Sequence, residues 1–300
     1  MVRAHRVRCR RQRTAAHALS HTDGLRAARG HRPVRQSSAS PTGLVPHLQA
    51  DRAPDYPHLG EQDAGPGSLA VDELHTRLLR VGFRAGDDLG LVLAGGYALA
   101  AHDLVSRPSR DIDFATATAL PLPLVAARLT EAYRAEGLDC RVVEVTPRMA
   151  RLLVEGPGFA CEVDLLKEAI GPPARMHIGP VLALEDAIGL KVRALHDRAA
   201  HRDYIDVRAA NRIVECGELE SLGARHTVAF SLHELADRLG GIDELEVETF
   251  ASYGLGENDI GGLRRWARLW EADIRARLAN GETGPTGIPE DDWDAYLDRP

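Results

Sequence analysis

The hydrophobic pattern becomes regular near residue 68, where helix-like and strand-like stretches begin to alternate. Ser68 is placed to cap a helix in which Leu74 and Leu78 share one face. Residues 89–95 are almost continuously apolar and end in Gly-Gly, which predicts a buried strand leading into a helix. The other elements predicted in this half are helices at 96–105 and 122–137 and strands at 110–116, 139–146, 150–156 and 159–166. The last two strands are predicted to form a hairpin through Gly156-Pro157-Gly158.

The pattern changes after Pro172-Pro173 and becomes helical throughout. Residues 184–215 predict a long helical region, and further helices are predicted at 232–239, 243–253 and 257–279. Trp266 and Trp270 lie one turn apart in the last helix and are expected in the core. We therefore predict an α+β fold with an α/β domain at 68–180, a helical domain at 181–280 and a poorly ordered tail at 281–300.

Charge sets the first 67 residues apart from the rest. Residues 1–50 hold ten arginines and one acid, whereas the remainder of the chain is strongly acidic. The Pro-, Gly- and Ser-rich stretch at 36–67 is typical of a linker, so residues 1–67 are predicted to be a disordered basic arm and linker. The arm is a candidate for nucleic-acid contact, a processed leader or a dispensable tail.

Composition excludes several classes of protein. No apolar run approaches the roughly 20 residues that span a bilayer, and no apolar segment follows the first arginines as in a secretory signal. The four cysteines are far apart in sequence, which predicts reduced thiols in a cytoplasmic protein rather than a disulfide framework or a zinc site. They are Cys9, Cys140, Cys161 and Cys216.

Two aspartates, Asp111 and Asp113, alternate on the predicted strand at 110–116. Alternate residues of a strand share a face, so both carboxylates are expected to point the same way. A hard divalent cation relieves the repulsion between them, and Mg²⁺ is held by one or two carboxylates together with phosphate oxygens and water. The alternative is a solvated edge strand with two surface acids.

The Gly95-Gly96 pair lies where the buried strand leads into a helix. Glycines allow a ligand to approach the backbone closely, and the helix amino terminus offers free N–H groups, so this turn is a candidate phosphate site. Ser109 and Arg107 precede the aspartates and are candidates for the same phosphates. The alternatives are a purely structural turn and a solvent-facing Arg107 or Arg110.

Asp164 is a candidate third metal ligand, because an unpaired acid in an apolar strand is costly and a cation beside Asp111 and Asp113 removes that cost. Glu162 lies on the same face by alternation and is its rival. An exposed strand end is the other interpretation.

Lys191 is one of only two lysines among 37 basic residues, and it interrupts the apolar stripe of a predicted helix. It either extends to solvent along the helix or reaches a triphosphate as a compact charge. Asp203 and Asp206 follow one turn apart, and one of them is expected to pair with Lys191 or an arginine. Six basic residues between 191 and 212 form either a patch for a phosphate-rich substrate or a solvated, ion-paired helix face. They are Lys191, Arg193, Arg198, Arg202, Arg208 and Arg212.

Two blocks of sequence carry a family resemblance. GGYALAAHDLVSRPSRDIDF (95–114) and GLKVRALHDRAAHRDYIDV (189–207) resemble the two signatures of AbiEii-type toxin nucleotidyltransferases, within the DNA polymerase β-like superfamily. The resemblance implies a polymerase β-like domain with a mixed sheet and flanking helices, followed by a helical domain. It also implies Mg²⁺-dependent transfer of a nucleotide from an NTP with release of pyrophosphate. Mycobacterial members are toxins that have cognate antitoxins and modify the 3′ acceptor end of tRNA, which blocks aminoacylation.

The resemblance implies a role for each matching residue. Gly95, Gly96 and Ser109 would lie on the phosphates, Asp111 and Asp113 on the metal, Lys191 on the triphosphate, and Asp206 would complete the site. Asp113 or Asp164 would help to deprotonate the attacking hydroxyl. Tyr97 stands where the family often has Ser or Thr, which removes a hydroxyl contact to phosphate. Two rival functions remain open: nucleotidyl transfer to a small molecule such as an aminoglycoside, and a non-catalytic interaction protein of the same fold.

Overall fold

A computed structural model of the chain describes residues 73–107 and 109–289. Within these ranges seven strands form one sheet, and nine α-helices surround it or follow it. The strands are β1 (Val92–Leu93), β2 (Ile112–Thr116), β3 (Asp139–Val145), β4 (Met149–Gly156), β5 (Phe159–Lys167), β6 (Ala174–Met176) and β7 (Gly179–Val181). The helices are α1 (Glu73–Ala85), α2 (Gly95–Ala101), α3 (Leu122–Ala135), α4 (Leu184–Asp197), α5 (His201–Ala210), α6 (Cys216–Ala224), α7 (Leu232–Gly240), α8 (Val247–Ser252) and α9 (Glu257–Ala279). Two 3₁₀ turns span Asp87–Leu89 and Gly241–Glu244.

The sheet is mixed, and its strand order is β3-β4-β5-β2-β1-β7-β6. β2 runs parallel to β5 and β1 parallel to β7, while the other neighbouring pairs are antiparallel. The predicted hairpin through Pro157 and Gly158 is present between β4 and β5. The predicted α+β fold, with a mixed sheet and flanking helices, is confirmed.

Helix α3 shows how the sequence fixes the first layer of the core. Leu122, Val125, Leu129 and Tyr133 recur at helical spacing, and all four are fully or almost fully buried against the sheet. The Tyr133 hydroxyl donates a hydrogen bond to the carbonyl of Leu78 at 3.1 Å, which joins α3 to α1. The buried polar tip therefore has a partner, as burial in an apolar core requires.

The helical half has its own buried contacts around α9. Trp266 and Trp270 are buried as predicted, and their rings lie 5.5 Å apart between centroids. Each indole N–H has an acceptor: Trp266 donates to Asn211 at 2.8 Å and Trp270 donates to Glu220 at 2.9 Å. These bonds join α9 to the segments around α5 and α6.

Several predicted boundaries are wrong. The strand expected at 89–95 is only Val92–Leu93, and the helical region expected at 184–215 breaks into α4 and α5 around Ala199, whose φ of 49° is left-handed. The second helix, α5, begins at His201, and the Asp203 carboxylate caps its amino terminus by accepting the Ala200 N–H at 3.0 Å. The helix expected at 243–253 also divides, into a 3₁₀ turn and α8, and the sequence pattern missed α6, β6 and β7.

Some predictions fall partly outside the described residues. The basic arm at 1–67 and the Ser68 cap lie outside them, and the domain boundary near residue 180 stays a prediction. Part of the predicted tail is packed, since Ile288 is buried and bridges to Val228. The three cysteines in the described ranges are free thiols, and none of the helices seen there has the length and apolar character of a membrane span.

Candidate active site

The site is built around the amino terminus of α2, where Gly95 lies directly against Asp113. Gly95 has a φ of 61°, and a methyl group on its α-carbon would lie 1.8 Å from Oδ2 of Asp113. A side chain is therefore excluded both by the backbone conformation and by the carboxylate. The chain reaches this position because the Ala94 N–H donates to the carbonyl of Asp113 at 2.8 Å, which ties the turn to β2.

Gly96 lies close to two other predicted site residues, Ser109 and Arg107. A methyl group on Gly96 would lie 3.0 Å from the Ser109 hydroxyl oxygen and 3.4 Å from an Nη2 of Arg107. The Ser109 hydroxyl donates to the carbonyl of Asp111 at 3.1 Å, which orients the loop before β2. The two glycines thus allow three predicted site residues, Arg107, Ser109 and Asp113, to lie against one turn.

Asp206 on α5 holds two cations that come from distant parts of the chain. Nε and Nη2 of Arg107 donate to its two oxygens at 2.9 and 2.7 Å, and Nζ of Lys191 lies 2.9 Å from Oδ2. The Asp206 side chain is fully buried, whereas those of Arg107 and Lys191 are 10% and 11% exposed. Burial by itself would raise the pKa of Asp206, but the charges of Lys191 and Arg107 outweigh it and hold that pKa below its ordinary value.

This arrangement excludes the solvent-facing alternatives for Lys191 and Arg107, and their contacts with phosphate stay a prediction. Neither side chain extends into solvent, because both are bound to the same buried carboxylate. Two positive charges share one negative charge, so the group keeps a net positive charge next to Gly96. Such a group suits a polyanionic ligand.

Asp113 has a different environment from Asp206. It lies in β2 between Ile112 and Phe114, which are fully buried on the other face of the sheet. Burial raises its pKa, the charge of Lys191 opposes this in part, and the negative charges of Asp164 and Asp111 add to the increase. Across residues 73–107 and 109–289, no side-chain hydrogen bond or ion pair to the Asp113 carboxylate is present.

Asp111 stands just before β2 and is partly exposed. Its Oδ2 lies 3.7 Å from an Nη1 of Arg202, a residue of α5. Asp111 was predicted within the strand at 110–116, but the observed strand β2 begins at Ile112 and leaves Asp111 outside it. The Asp111 carboxylate therefore has one loose ionic contact and an exposed third of its side chain, which leaves it accessible to a ligand.

Asp164 lies beside Asp113 across the parallel pair of strands β2 and β5. On its other side Arg151 of β4 pairs with it, and Nε and Nη2 of Arg151 donate to its two oxygens at 2.8 and 2.7 Å. Arg151 also lies 3.0 Å from Glu162. Asp164 is thus already balanced by a guanidinium, and a metal could bind both of its oxygens only by displacing Arg151.

Arg151 and Arg202 are the residues that sequence reasoning missed. Arg151 stands directly opposite Asp164 in the antiparallel hairpin β4–β5, so cross-strand pairing of opposite charges was the available signal. Arg202 was counted only as part of a basic stretch, and its contact with Asp111 spans about 90 residues of sequence. No local pattern predicts that contact.

The members of the basic stretch at 191–212 have different environments: Lys191 is buried, Arg193 and Arg202 are partly exposed, and the other three are exposed. Arg193 forms a bidentate salt bridge with Glu168 at 2.8 and 2.6 Å, and Arg198 forms one with Asp203 at 2.9 and 3.0 Å. Asp203 therefore stabilises the α4–α5 junction, whereas Asp206 pairs with the site residues Arg107 and Lys191. Neither predicted alternative describes the whole stretch, because its members divide between core pairs, the site and the surface.

The residues present suit a small, hard cation at Asp111 and Asp113. Within the described ranges, no group of three or more His, Cys, Asp or Glu side chains is arranged to hold a metal. Mg²⁺ needs only one or two protein carboxylates when phosphate oxygens and water complete its shell. In the described part of the chain the Asp113 carboxylate has no direct ion pair, so the Asp111–Asp113 pair meets that requirement, whereas a cage formed by protein ligands alone is not present there.

A family model decides what this arrangement belongs to. The model described as "Nucleotidyl transferase AbiEii toxin, Type IV TA system" matches residues 77–299, about three quarters of the sequence and all of the site. The chain belongs to the AbiEii family. AbiEii proteins are nucleotidyltransferase toxins of toxin–antitoxin systems, so the chain is a nucleotidyltransferase of that kind, and the predicted family is confirmed.

Solved structures with similar folds were also found, although no curated protein matches the sequence. A Helicobacter pylori protein, described provisionally as a nucleotidyltransferase, is 18% identical, with a TM-score of 0.46 over 71% of this chain and 99% of its own. MenT4, a nucleotidyltransferase toxin from Mycobacterium tuberculosis, is 21% identical, with a TM-score of 0.38 over 69% of this chain and 80% of its own.

In this AbiEii chain, replacing Gly95 with alanine is expected to abolish transfer, because the added methyl group displaces the Asp113 carboxylate. Gly90 provides a matched control: its φ of 59° imposes the same strain of about 1–2 kcal/mol on an alanine, but no atom lies within 4 Å of the added methyl. Gly95→Ala should therefore lose at least as much stability as Gly90→Ala in thermal melts, and only Gly95→Ala should lose transfer of labelled nucleotide. Equal activity in the two variants would contradict the placement of Asp113.

Proposed function

We propose that the chain transfers a nucleoside monophosphate from an NTP to the 3′ acceptor end of tRNA, in an Mg²⁺-dependent reaction that releases pyrophosphate. The modified tRNA would no longer accept an amino acid, so translation would stop. This proposal refines the nucleotidyltransferase toxin activity of the AbiEii family. We further propose that the enzyme acts in the cytoplasm, where NTPs and tRNA are present, and that a cognate antitoxin protein counteracts it.

The observation that carries the proposal is the meeting of two opposite sets of charges at the Gly95-Gly96 turn. The Asp113 carboxylate, two residues after Asp111, lies against Gly95, and Arg107, which shares the buried Asp206 with Lys191, lies against Gly96. A metal-bound triphosphate requires this combination, with carboxylates toward the cation and positive groups toward the phosphate oxygens.

Asp111 and Asp113 would hold Mg²⁺, which when bound supplies positive charge at the reacting phosphate and lowers the barrier to displacement. We do not extend the proposed ligand set to Asp164, since both of its oxygens accept hydrogen bonds from Arg151. In this proposal the Asp164–Arg151 pair fixes the neighbouring strand and adds negative potential at Asp113.

The cationic side of the site would bind the phosphates and stabilise the leaving pyrophosphate. Lys191 and Arg107 are oriented before any substrate arrives, because Asp206 holds both, and such preorganised charges stabilise a developing anion most effectively. Ser109 and the N–H groups at the start of α2 would add hydrogen bonds from the glycine turn. Asp206, predicted as a catalytic residue, is proposed here as a positioning residue, since it lies fully buried behind Lys191 and Arg107.

The acceptor is tested by label transfer. The purified full-length chain, incubated with Mg²⁺ and each α-³²P-labelled NTP in turn, is expected to label total tRNA, and chemical blocking of the tRNA 3′ end should prevent labelling. Aminoglycosides serve as the competing acceptors in parallel reactions. Labelling of an aminoglycoside but not of tRNA would support the small-molecule function, and labelling of neither would contradict the proposed reaction.

A further inference from the structure

A cavity of about 540 Å³ opens beside Arg107, on the side of that residue formed by the helical half of the chain. Its walls come from the loop at 105–107, from α5, from the turn at 253–255 and from the first turns of α9. We call it the arginine cavity, because Arg107, Arg208 and Arg212 line it together with Tyr253 and Asn258. Its volume lies in the range of sites that bind small ligands or single nucleotides.

Arg208 and Arg212 differ from the other arginines of the 191–212 stretch. Both are exposed, and in the part of the chain that the structure describes neither forms an ion pair with a carboxylate. The Arg208 guanidinium lies 5.7 Å from the ring centroid of Trp266, and Nη2 of Arg212 donates to the carbonyl of Leu104 at 3.3 Å. These contacts orient the two side chains but leave their charges unneutralised.

The cavity also has an aromatic and a polar wall. The guanidinium carbon of Arg107 lies 5.9 Å from the ring centroid of Tyr253, and both residues line the cavity. Asp259 is the acid among the lining residues, and its Oδ2 accepts the N–H of Gly256 at 3.2 Å, at the start of α9. Guanidiniums without a carboxylate partner in the described residues, beside a partly exposed aromatic ring, suit a phosphodiester with an attached base.

The arginine cavity and the proposed reaction site share one residue. Arg107 lines the cavity, and its Nη2 also lies 3.4 Å from the position of a methyl group on Gly96. A ligand in the cavity would therefore contact the same side chain that lies over the glycine turn, where the reacting phosphate would be. An acceptor must occupy such a position to reach that phosphate.

We propose that the arginine cavity binds the 3′-terminal nucleotides of the acceptor RNA, with Arg208 and Arg212 on the phosphodiester backbone and Tyr253 stacked on a base. This assignment rests on the proposed function. The NTP's own nucleoside is the other source of a base and a sugar, but its phosphates are already matched by Lys191, Arg107 and the glycine turn. Two further unneutralised cations exceed the needs of one triphosphate and match the additional phosphates of a strand.

The test uses the full-length chain and a fluorescein-labelled RNA hairpin that carries a single-stranded 3′ trinucleotide. Its binding is measured by fluorescence anisotropy at several salt concentrations without NTP. Arg208→Ala/Arg212→Ala is expected to weaken binding about tenfold or more and to reduce the salt dependence by one to two ions. Tyr253→Ala should weaken binding about five- to a hundredfold, the range for loss of one stacked base, and Tyr253→Phe should retain it.

Controls separate the cavity from overall charge and from the NTP site. Arg134→Ala removes an exposed positive charge on α3, which does not line the cavity, and should leave hairpin binding within twofold of the wild type. Binding of a fluorescent NTP analogue with Mg²⁺ should also be unchanged in the double arginine variant. Circular dichroism melts establish that each variant is folded.

The possible outcomes are distinct. Unchanged hairpin binding in the double arginine variant overturns the assignment, and so does absence of hairpin binding by the wild type. Weakened binding of the NTP analogue with normal hairpin binding overturns it in favour of the nucleoside of the NTP. If hairpin binding is lost in the variants but the wild type labels no tRNA, the cavity binds RNA and the proposed reaction is the part that fails.

Discussion

Replacement of Asp113 with asparagine is expected to slow nucleotidyl transfer at least about a hundredfold while leaving the protein as stable as the wild type or more stable. Transfer falls because the neutral amide cannot hold the cation that Asp113 and Asp111 are proposed to bind. Stability does not fall, because burial raises the pKa of Asp113. A carboxyl with a raised pKa in the folded state contributes stability below its unfolded pKa and loses that contribution as pH rises, so at neutral pH its ionised form opposes folding.

The measurement combines single-turnover transfer of labelled nucleotide with urea denaturation in metal-free buffer at neutral pH. Asp88→Asn is the matched control, because Asp88 is an exposed partner of Arg128 at 2.6 Å and lies outside the site. It should leave transfer within about twofold of the wild type. An Asp113→Asn variant that keeps more than a tenth of the activity, or that unfolds more easily than the wild type, would show that Asp113 has another role.

Asp206→Asn is expected to reduce both stability and transfer. The substitution leaves Lys191 and Arg107 buried together without their shared counter-charge, and breaking a buried pair in this way costs about 3–5 kcal/mol of unfolding free energy. Transfer should fall with it, because the two cations repel each other and lose the positions that suit a triphosphate. Urea denaturation and the transfer assay at a temperature where the variant is folded measure the two effects.

Two further variants distinguish an effect on nucleotidyl transfer from an effect on the free energy of unfolding. Asp237→Asn removes an aspartate that is 73% exposed and paired with Arg275 at 2.9 Å, so it should change the unfolding free energy by no more than about 1 kcal/mol. Lys191→Met keeps the Asp206–Arg107 pair and should therefore lose transfer with a smaller loss of stability than Asp206→Asn. If Asp206→Asn and Asp237→Asn are equally stable, the buried pair does not stabilise the protein as inferred.

These predictions depend on a shared physical feature of the site. The charged groups of the candidate site are held in place by other charged groups, as Asp206 holds Lys191 and Arg107 and as Arg151 holds Asp164. In a buried setting each pair is strong only while both members are present. The arrangement that fixes the positions of these side chains therefore makes the candidate site sensitive to single substitutions.

Local sequence was sufficient for the elements whose side chains have a clear period. Helix α9 was predicted with its observed bounds, and the three strands β3, β4 and β5 were placed within one residue at nearly every end. Local sequence was insufficient where a junction depends on contacts made by one side chain. At the break around Ala199, the Asp203 carboxylate accepts hydrogen bonds from Arg198, just after α4, and from the Ala200 N–H, just before α5. The short strands β6 and β7 have three residues each, too few for a period to be recognised.

The sequence by itself singled out candidate members of the site: the glycine pair, the two aspartates before and within β2, and the lysine that interrupts an apolar helix face. Only the tertiary structure decided how their charges are shared. Arg107 and Asp206 are 99 residues apart, and the contact of Asp164 with Arg151 depends on the strand register. The physical reason is that residue type limits which charges a site can contain, whereas partnership depends on distances of about 3 Å that the packing of the sheet against α4 and α5 sets.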